Sequence, residues 1–391
     1  MPAEAYDVIV IGLGGMGSAA LYQLARRGLK VLGIERFDIG HEYGSSHGLT
    51  RIIRLAYYEH PSYVPLMRRA YELWTQIEAE TGEKLYYQTG SIDAGPEDSS
   101  VFAGSLQSCV QHGLDHEVLT AAQLRERFPG YRFPGETLAV FQPQGGLLVP
   151  ERCIAAHIRA AQAHGAVVRT QEQVLDWHPY GERVRVTTER GRYEAGRLVI
   201  TAGSWAGKLI PLLQSVAVPE RQALIWLEVL KPEWFALERF PVFNCTVPEG
   251  RFYGFPEFNP SGTTPGFKYG RWHHLEEIVD PDDMVRLDVG PRDEILLRSF
   301  AERYFPQAAG RTLAMKACLF TNTPDEHFII DTLPGASQVV YAAGMSGHGF
   351  KFCSVIGEVL ADLAQAGSTR HDISLLRYER LANHPQASDD R

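Results

Sequence analysis

Val8 to Ile11 form the first readable element of the chain, an unbroken apolar run of the kind that marks a parallel strand buried on both faces. Met16, Ala19, Ala20, Leu24 and Ala25 then recur at helical spacing, and Gly28, following Arg26 and Arg27, stops that helix. Val31 to Ile34 repeat the strand pattern and end in Glu35. Further on, Leu66, Met67, Ala70, Leu73, Trp74 and Ile77 share one helical face, closed by Gly82. The middle of the chain changes character. LYYQTGSIDAG, ALIWLEVL, RFYGFPEF and GFKYGRW are aromatic-rich, with turn residues between them, as in an antiparallel sheet. Residues near 147–207 return to helix and strand and end in RLVITAG, and VVYAAGMSGHGFKFCSVIGEVLADLAQ is again strand, glycine turn and helix. The pattern predicts an α/β fold with an α+β part. A discontinuous Rossmann-type domain covers residues 1–84, 146–218 and 320–385, and an antiparallel-sheet domain covers 85–145 and 219–319. The last ten or so residues read as a frayed tail.

Composition narrows the partners. The 391 residues are 45% hydrophobic and 22% charged, which is ordinary for a globular protein. A formal charge of −9 argues against a nucleic-acid partner, since binding phosphate backbones takes clustered Lys and Arg. No apolar run is long enough to span a membrane, and the opening MPAEAYDVIVIG enters a strand without the features of a signal peptide. Five cysteines (Cys109, Cys153, Cys245, Cys318 and Cys353) are scattered and form no C-x-x-C pair. That points to a reducing, cytoplasmic setting and to no bound metal.

Three segments carry candidate chemistry. Gly12, Gly14 and Gly17 form G-x-G-x-x-G after a buried strand and at the head of a helix. In that setting the glycines allow a tight turn, close approach of a pyrophosphate, and helix-on-strand packing. Glu35, at the end of the second strand, is placed to bond a ribose hydroxyl pair, which disfavours a 2′-phosphate cofactor; the motif does not separate NAD from FAD. In GSSHGLTRIIRLAY (44–57), Arg51 and Arg54 bracket two isoleucines. On a helical turn that spacing presents both guanidinium groups to one cavity, or else leaves two arginines snorkelling on a helix face. The turn from Gly344 to Lys351 clusters backbone N–H groups, suited to an anion or to a plain strand-to-helix connection. His348 within it reads as a hydrogen-bonded packing residue, and Cys318 by default as a small buried hydrophobe.

From YDVIVIGLGGMG through GSSHGLTRIIRLAY, FYGFP and ACLFTNTPDEHFIIDTLPG to SGHGFKF, the chain resembles the monomeric sarcosine oxidase and N-methyltryptophan oxidase family nearly end to end. The resemblance implies FAD, joined through the sulfur of Cys318 to the 8α position of the flavin. It implies that Arg54 and Lys351 hold a substrate carboxylate and that Arg51 lies against the flavin. Lys268 would stand beside flavin N5 and promote reaction with O2, with Tyr253 as an active-site tyrosine. Ser45, Thr50, Gly347 and Gly349 would line the flavin and its pocket. The implied protein is a monomer that oxidises a small amine or amino acid and releases hydrogen peroxide. A flavin dehydrogenase with another acceptor and a non-catalytic flavin protein are the alternatives. Two positions depart from the family pattern: Phe320 replaces a tyrosine and Trp272 a histidine. Both neighbour the substrate in the family, so the amine end is expected to be more aromatic and to favour bulkier or cyclic amines.

Overall fold

The computed structural model describes residues 4–260 and 266–381, so the expected frayed tail lies outside the described residues. The apolar run at the start is a strand, Glu4–Ile11, paired in parallel with Val31–Ile34 on one side and Arg192–Ile200 on the other. Val167–Arg169 extends this parallel sheet beyond Val31–Ile34, and Ala336–Ala343 joins the far end of Arg192–Ile200. Helices Gly15–Arg26, Pro150–Ala163 and Cys353–Ala366 pack together over the sheet, with Tyr63–Thr81 against them. Gly82, in the left-handed conformation at φ 70°, closes that last helix at the predicted place.

A second sheet of eight strands holds the aromatic segments. Its order is Thr312–Asn322, Val218–Leu227, Phe267–Arg271, Gly250–Gly254, Val242–Val247, Ser91–Gly95, Leu138–Gln142 and Glu117–Thr120. It is not wholly antiparallel as expected: Val242–Val247 runs parallel to Ser91–Gly95. The long excursion between these strands provides the crossover that a parallel pair needs. Phe235, Phe240, Phe243, Phe267, Phe300 and Phe305 fill the core behind this sheet.

The expected helical turn around Arg51 and Arg54 is instead a strand, Arg51–Ile53, paired with Gly146–Leu148, which also carries Tyr86–Gln88. Ile52 and Ile53 are β-branched and suit a ladder better than a helical turn. Ile53 and Leu148 of this small sheet pack into the cluster of the helices over the first sheet, and Ile52 and Leu147 pack with Val242 of the second. Among the described residues no helix is long and apolar enough to cross a membrane, and no group of three His, Cys, Asp or Glu side chains could hold a metal ion.

Candidate active site

The glycine motif sits at the C-terminal end of Glu4–Ile11, where the chain turns into Gly15–Arg26. A Cβ on Gly17 would stand 1.8 Å from Gly12 O, so only glycine lets the helix pack this close to the turn. Glu35 is buried and held from two sides: its carboxylate accepts from Leu13 N at 2.8 Å and from Phe37 N at 3.0 Å. Around these groups lies a cavity of about 330 Å³, whose wall includes Gly12, Gly14, Glu35, Ser45, Arg51, Phe320, Gly347 and Gly349. A Cβ at Gly14 would meet nothing nearer than Ser46 Oγ at 3.7 Å, so the backbone there is open to an approaching phosphate. Backbone N–H groups at a helix N-terminus, a fixed carboxylate beyond the second strand, and a cavity beside both fit FAD.

A second, smaller cavity of about 50 Å³ adjoins the first, and Arg51, Phe320, Gly347 and Phe350 belong to the walls of both. Arg54, Tyr253, Trp272, Cys318, His348 and Lys351 complete much of its lining. Arg54 is nearly inaccessible and already paired. Its Nη2 donates to both oxygens of Glu59, at 3.0 and 2.7 Å, and its Nη1 to Ala56 O at 2.5 Å. Burial alone would raise the Glu59 carboxyl, but Arg54, with His348 and Lys351, brings it down to about 2. Lys351 Nζ donates to His348 O at 2.8 Å, and burial, reinforced by the Arg54 charge, pushes its ammonium down to about 7. His348 Nε2 donates to Glu326 O at 2.9 Å, which leaves Nδ1 to accept from Tyr57 OH at 2.5 Å. Burial lowers its imidazole to about 4, consistent with a neutral, hydrogen-bonded ring. Phe320 lies flat enough on the glycine turn that a Cβ on Gly347, where φ is 74°, would come within 2.4 Å of its ring.

Behind the seam of the two cavities stands Lys268. Phe267 and Tyr269 point into the aromatic core, and Lys268 points the other way, donating to Thr50 O at 2.8 Å and Thr50 Oγ1 at 3.1 Å. Lys268 and Thr50 face neither cavity directly; Arg51 stands between, donating to Thr50 O at 2.8 Å and to Ser45 O at 2.6 Å. Burial, then the Arg51 charge, hold the Lys268 ammonium well below its ordinary range. Cys318 is buried beside Leu224, Trp226 and Tyr253. Burial raises its thiol, with Arg51 and Lys268 pulling the other way.

Two carboxylates essential to this geometry escaped the sequence reading. Glu59 follows Arg54 by five residues in RLAYYEH, a charge among aromatics that could have signalled a partner. Asp93 is fully buried within Ser91–Gly95, accepts from Ser105 Oγ and Asn244 Nδ2 at 2.7 Å each, and lies 3.7 Å from Arg54 Nε. An acidic residue inside an otherwise small and apolar strand was its only local sign.

A family model described as FAD dependent oxidoreductase matches residues 7–363. The chain is 42% identical over 386 residues to monomeric sarcosine oxidase of Bacillus sp. (strain NS-129), covering 98% of each protein. It is 37% identical over 377 residues to N-methyl-L-tryptophan oxidase of Yersinia pestis (strain Pestoides F), covering 96% of this chain and 99% of that one. Among solved structures, NikD, an unusual amino acid oxidase essential for nikkomycin biosynthesis, superposes with a TM-score of 0.83 at 27% identity, over 96% of this chain and 97% of that one.

Proposed function

Since the chain belongs to the FAD-dependent oxidoreductases, in the family of monomeric sarcosine oxidase and N-methyl-L-tryptophan oxidase, we propose that it oxidises small secondary or N-methyl amino acids and passes the electrons to O2. The observation that carries this reading is the joined pair of cavities, the larger suited to FAD and the smaller holding Arg54 and Lys351. FAD, when bound, accepts a hydride from the carbon next to the substrate nitrogen and returns the electron pair to O2 as hydrogen peroxide. Water hydrolyses the resulting imine, which for N-methylglycine gives glycine and formaldehyde.

The chain supplies orientation and charge. Arg54 and Lys351 fix the carboxylate, which turns the reacting C–H toward the seam with the larger cavity. Arg54 must release Glu59, or share its donors, to take that carboxylate. About 50 Å³ is room for roughly three to five waters, a better match to N-methylglycine or proline than to an indole-bearing amino acid while Trp272 and Phe320 keep their places. The expected advantage of bulkier amines thus depends on those rings moving.

Further assignments rest on the resemblance together with placement. Cys318, in the wall of the smaller cavity, carries the flavin through an 8α thioether. Lys268 serves O2, its charge favouring the negative charge that develops there in a site closed to water. Tyr253 and Arg51, both in the wall of the smaller cavity, are assigned to the reacting end of the substrate. The enzyme works as a monomer in the cytoplasm, where five unpaired, buried thiols are stable. The test is peroxide release under air from N-methylglycine, proline, pipecolate and N-methyltryptophan. Release from the smaller substrates supports the reading. Substrate-dependent flavin reduction without peroxide would replace it by a dehydrogenase.

A further inference from the structure

Trp272 and Phe320 close one side of the smaller cavity, their ring centroids 5.2 Å apart. The other side of the indole faces a charged network whose members line neither cavity. Arg251 lies over the indole with Cζ 4.2 Å from the ring centroid, and its Nη2 reaches Glu326 Oε2 at 3.1 Å. The Trp272 indole N–H donates to Glu326 Oε1 at 3.3 Å. His273, the next residue, donates through Nε2 to that same oxygen at 2.8 Å and through Nδ1 to Glu220 at 2.7 Å. The network is wet and the indole is dry: Trp272 is 7% exposed, whereas the side chains of His273 and Glu326 are 33% and 35% exposed. His273 adopts φ 51°, a left-handed conformation that a residue with a Cβ takes at a cost, and its two carboxylate bonds hold it there.

We propose that Arg251, Glu326 and His273 form a clamp that positions Trp272, and that the clamped indole sets the largest N-substituent the enzyme accepts. The proposal rests on the oxidase reading above and deepens it. Toward the cavity the indole packs on two rings, Phe320 and the stacked His348 at 6.0 Å. A cation over its face and an acceptor for its N–H come from the outer network. Those outer groups reach solvent, so water can replace their contacts when the indole swings, and the cost of opening stays modest. Arg54, by contrast, is sealed and paired with Glu59, so the carboxylate end cannot yield in this way. Arg251, His273 and Glu326 are therefore positioning residues that act through Trp272.

The test compares wild-type holoenzyme with Arg251→Ala and Arg251→Lys. Two quantities are measured: kcat/KM for N-methylglycine and N-benzylglycine, and Kd for methoxyacetate and benzyloxyacetate from the change in flavin absorbance. Loss of a cation–π contact at a partly exposed site is worth a few-fold, so Arg251→Ala should raise the bulky-to-small ratio by about fivefold in both measurements, mostly through KM and Kd. Arg251→Lys, which keeps the ion pair, should move it less. A ratio unchanged in Arg251→Ala, or an equal loss for both sizes, overturns the clamp. Should Arg251→Ala not fold, Glu326→Gln removes the ion pairs while leaving an acceptor for the indole, and it must shift the ratio in the same direction or the clamp falls. The ether carboxylates need no turnover. A wild type that oxidises no N-substituted glycine would therefore sink the oxidase reading, while the Kd ratio still decides the clamp.

Discussion

The two cavities share four wall residues yet are built from different materials. The wall of the larger one includes a glycine turn, a helix N-terminus, and a carboxylate tied to the N–H groups of Leu13 and Phe37. Around the smaller one it presents charged side chains sealed among aromatic rings, with Arg54 shared between Glu59 and Asp93 and Lys351 close by. Backbone groups arrive with the fold and cost little to hold in place. Buried charges hold their places only through one another, so removing one leaves another stranded. The cofactor region should therefore tolerate side-chain changes outside its glycines better than the substrate region tolerates loss of Arg54.

Cys318 lines the smaller cavity two residues before Phe320, which belongs to the walls of both, and its removal has the largest expected effect. Denatured, acid-precipitated wild type should stay yellow, whereas Cys318→Ala should release all of its flavin to the supernatant; Cys353, in the wall of the larger cavity, should be dispensable for the linkage. A colourless precipitate from fully loaded wild type contradicts the assignment.

Within the substrate region, Arg54→Ala should weaken carboxylate ligands by about 2–5 kcal/mol, part of it from leaving Glu59 without its partner. Uncharged amines of similar shape should lose little. Equal weakening of both ligand classes would mean that Arg54 supports the fold and not the substrate.

Lys268 tests whether a charge set behind the seam can act across it. Lys268→Met should slow reoxidation by O2 roughly 10²-fold, the scale of one lost preorganised electrostatic group, while anaerobic reduction by substrate falls far less. Its lowered pKa adds a sign: the ammonium is present at low pH, so wild-type reoxidation should slow as pH rises through that depressed value, and the mutant should show no such slope. Stopped-flow measurement of the two half-reactions separates these outcomes.

The smallest effect concerns Lys351, whose ammonium is pushed down to about 7. It is charged below that value and neutral above it. Affinity for methoxyacetate, which has no titrating amine, should fall as pH rises through about 7. Lys351→Met should bind weakly and without this dependence. A pH-independent wild-type affinity would remove Lys351 from carboxylate binding.

How much of this was legible in the residues follows from distance along the chain. The helix after Gly14, its stop, and the Gly82 cap obey local rules of spacing and turn chemistry, so they could be read directly. The inward aim of Lys268 followed from strand alternation with Phe267 and Tyr269. Its anchor did not, because Thr50 lies 218 positions away. The spacing of Arg51 and Arg54 pointed to one shared cavity, and both line the smaller one, but it misled on the helical turn, since the isoleucines between them found a ladder partner in Gly146–Leu148 that no local pattern announces. The bond of Asp93 with Asn244 spans 151 positions, across the one parallel pair of the second sheet. Family resemblance supplied Phe320 and Trp272 as departures, but the charged network behind Trp272 became visible only in three dimensions.

One chemical claim joins the two cavities: this chain binds FAD and uses it to oxidise a small N-substituted amino acid. The most direct test is the visible spectrum of the holoenzyme under anaerobic conditions with excess N-methylglycine or proline. The flavin absorbance should bleach on adding the amine and return on admitting O2, with one hydrogen peroxide released per flavin reoxidised. A spectrum that no secondary or N-methyl amino acid can bleach would contradict the account.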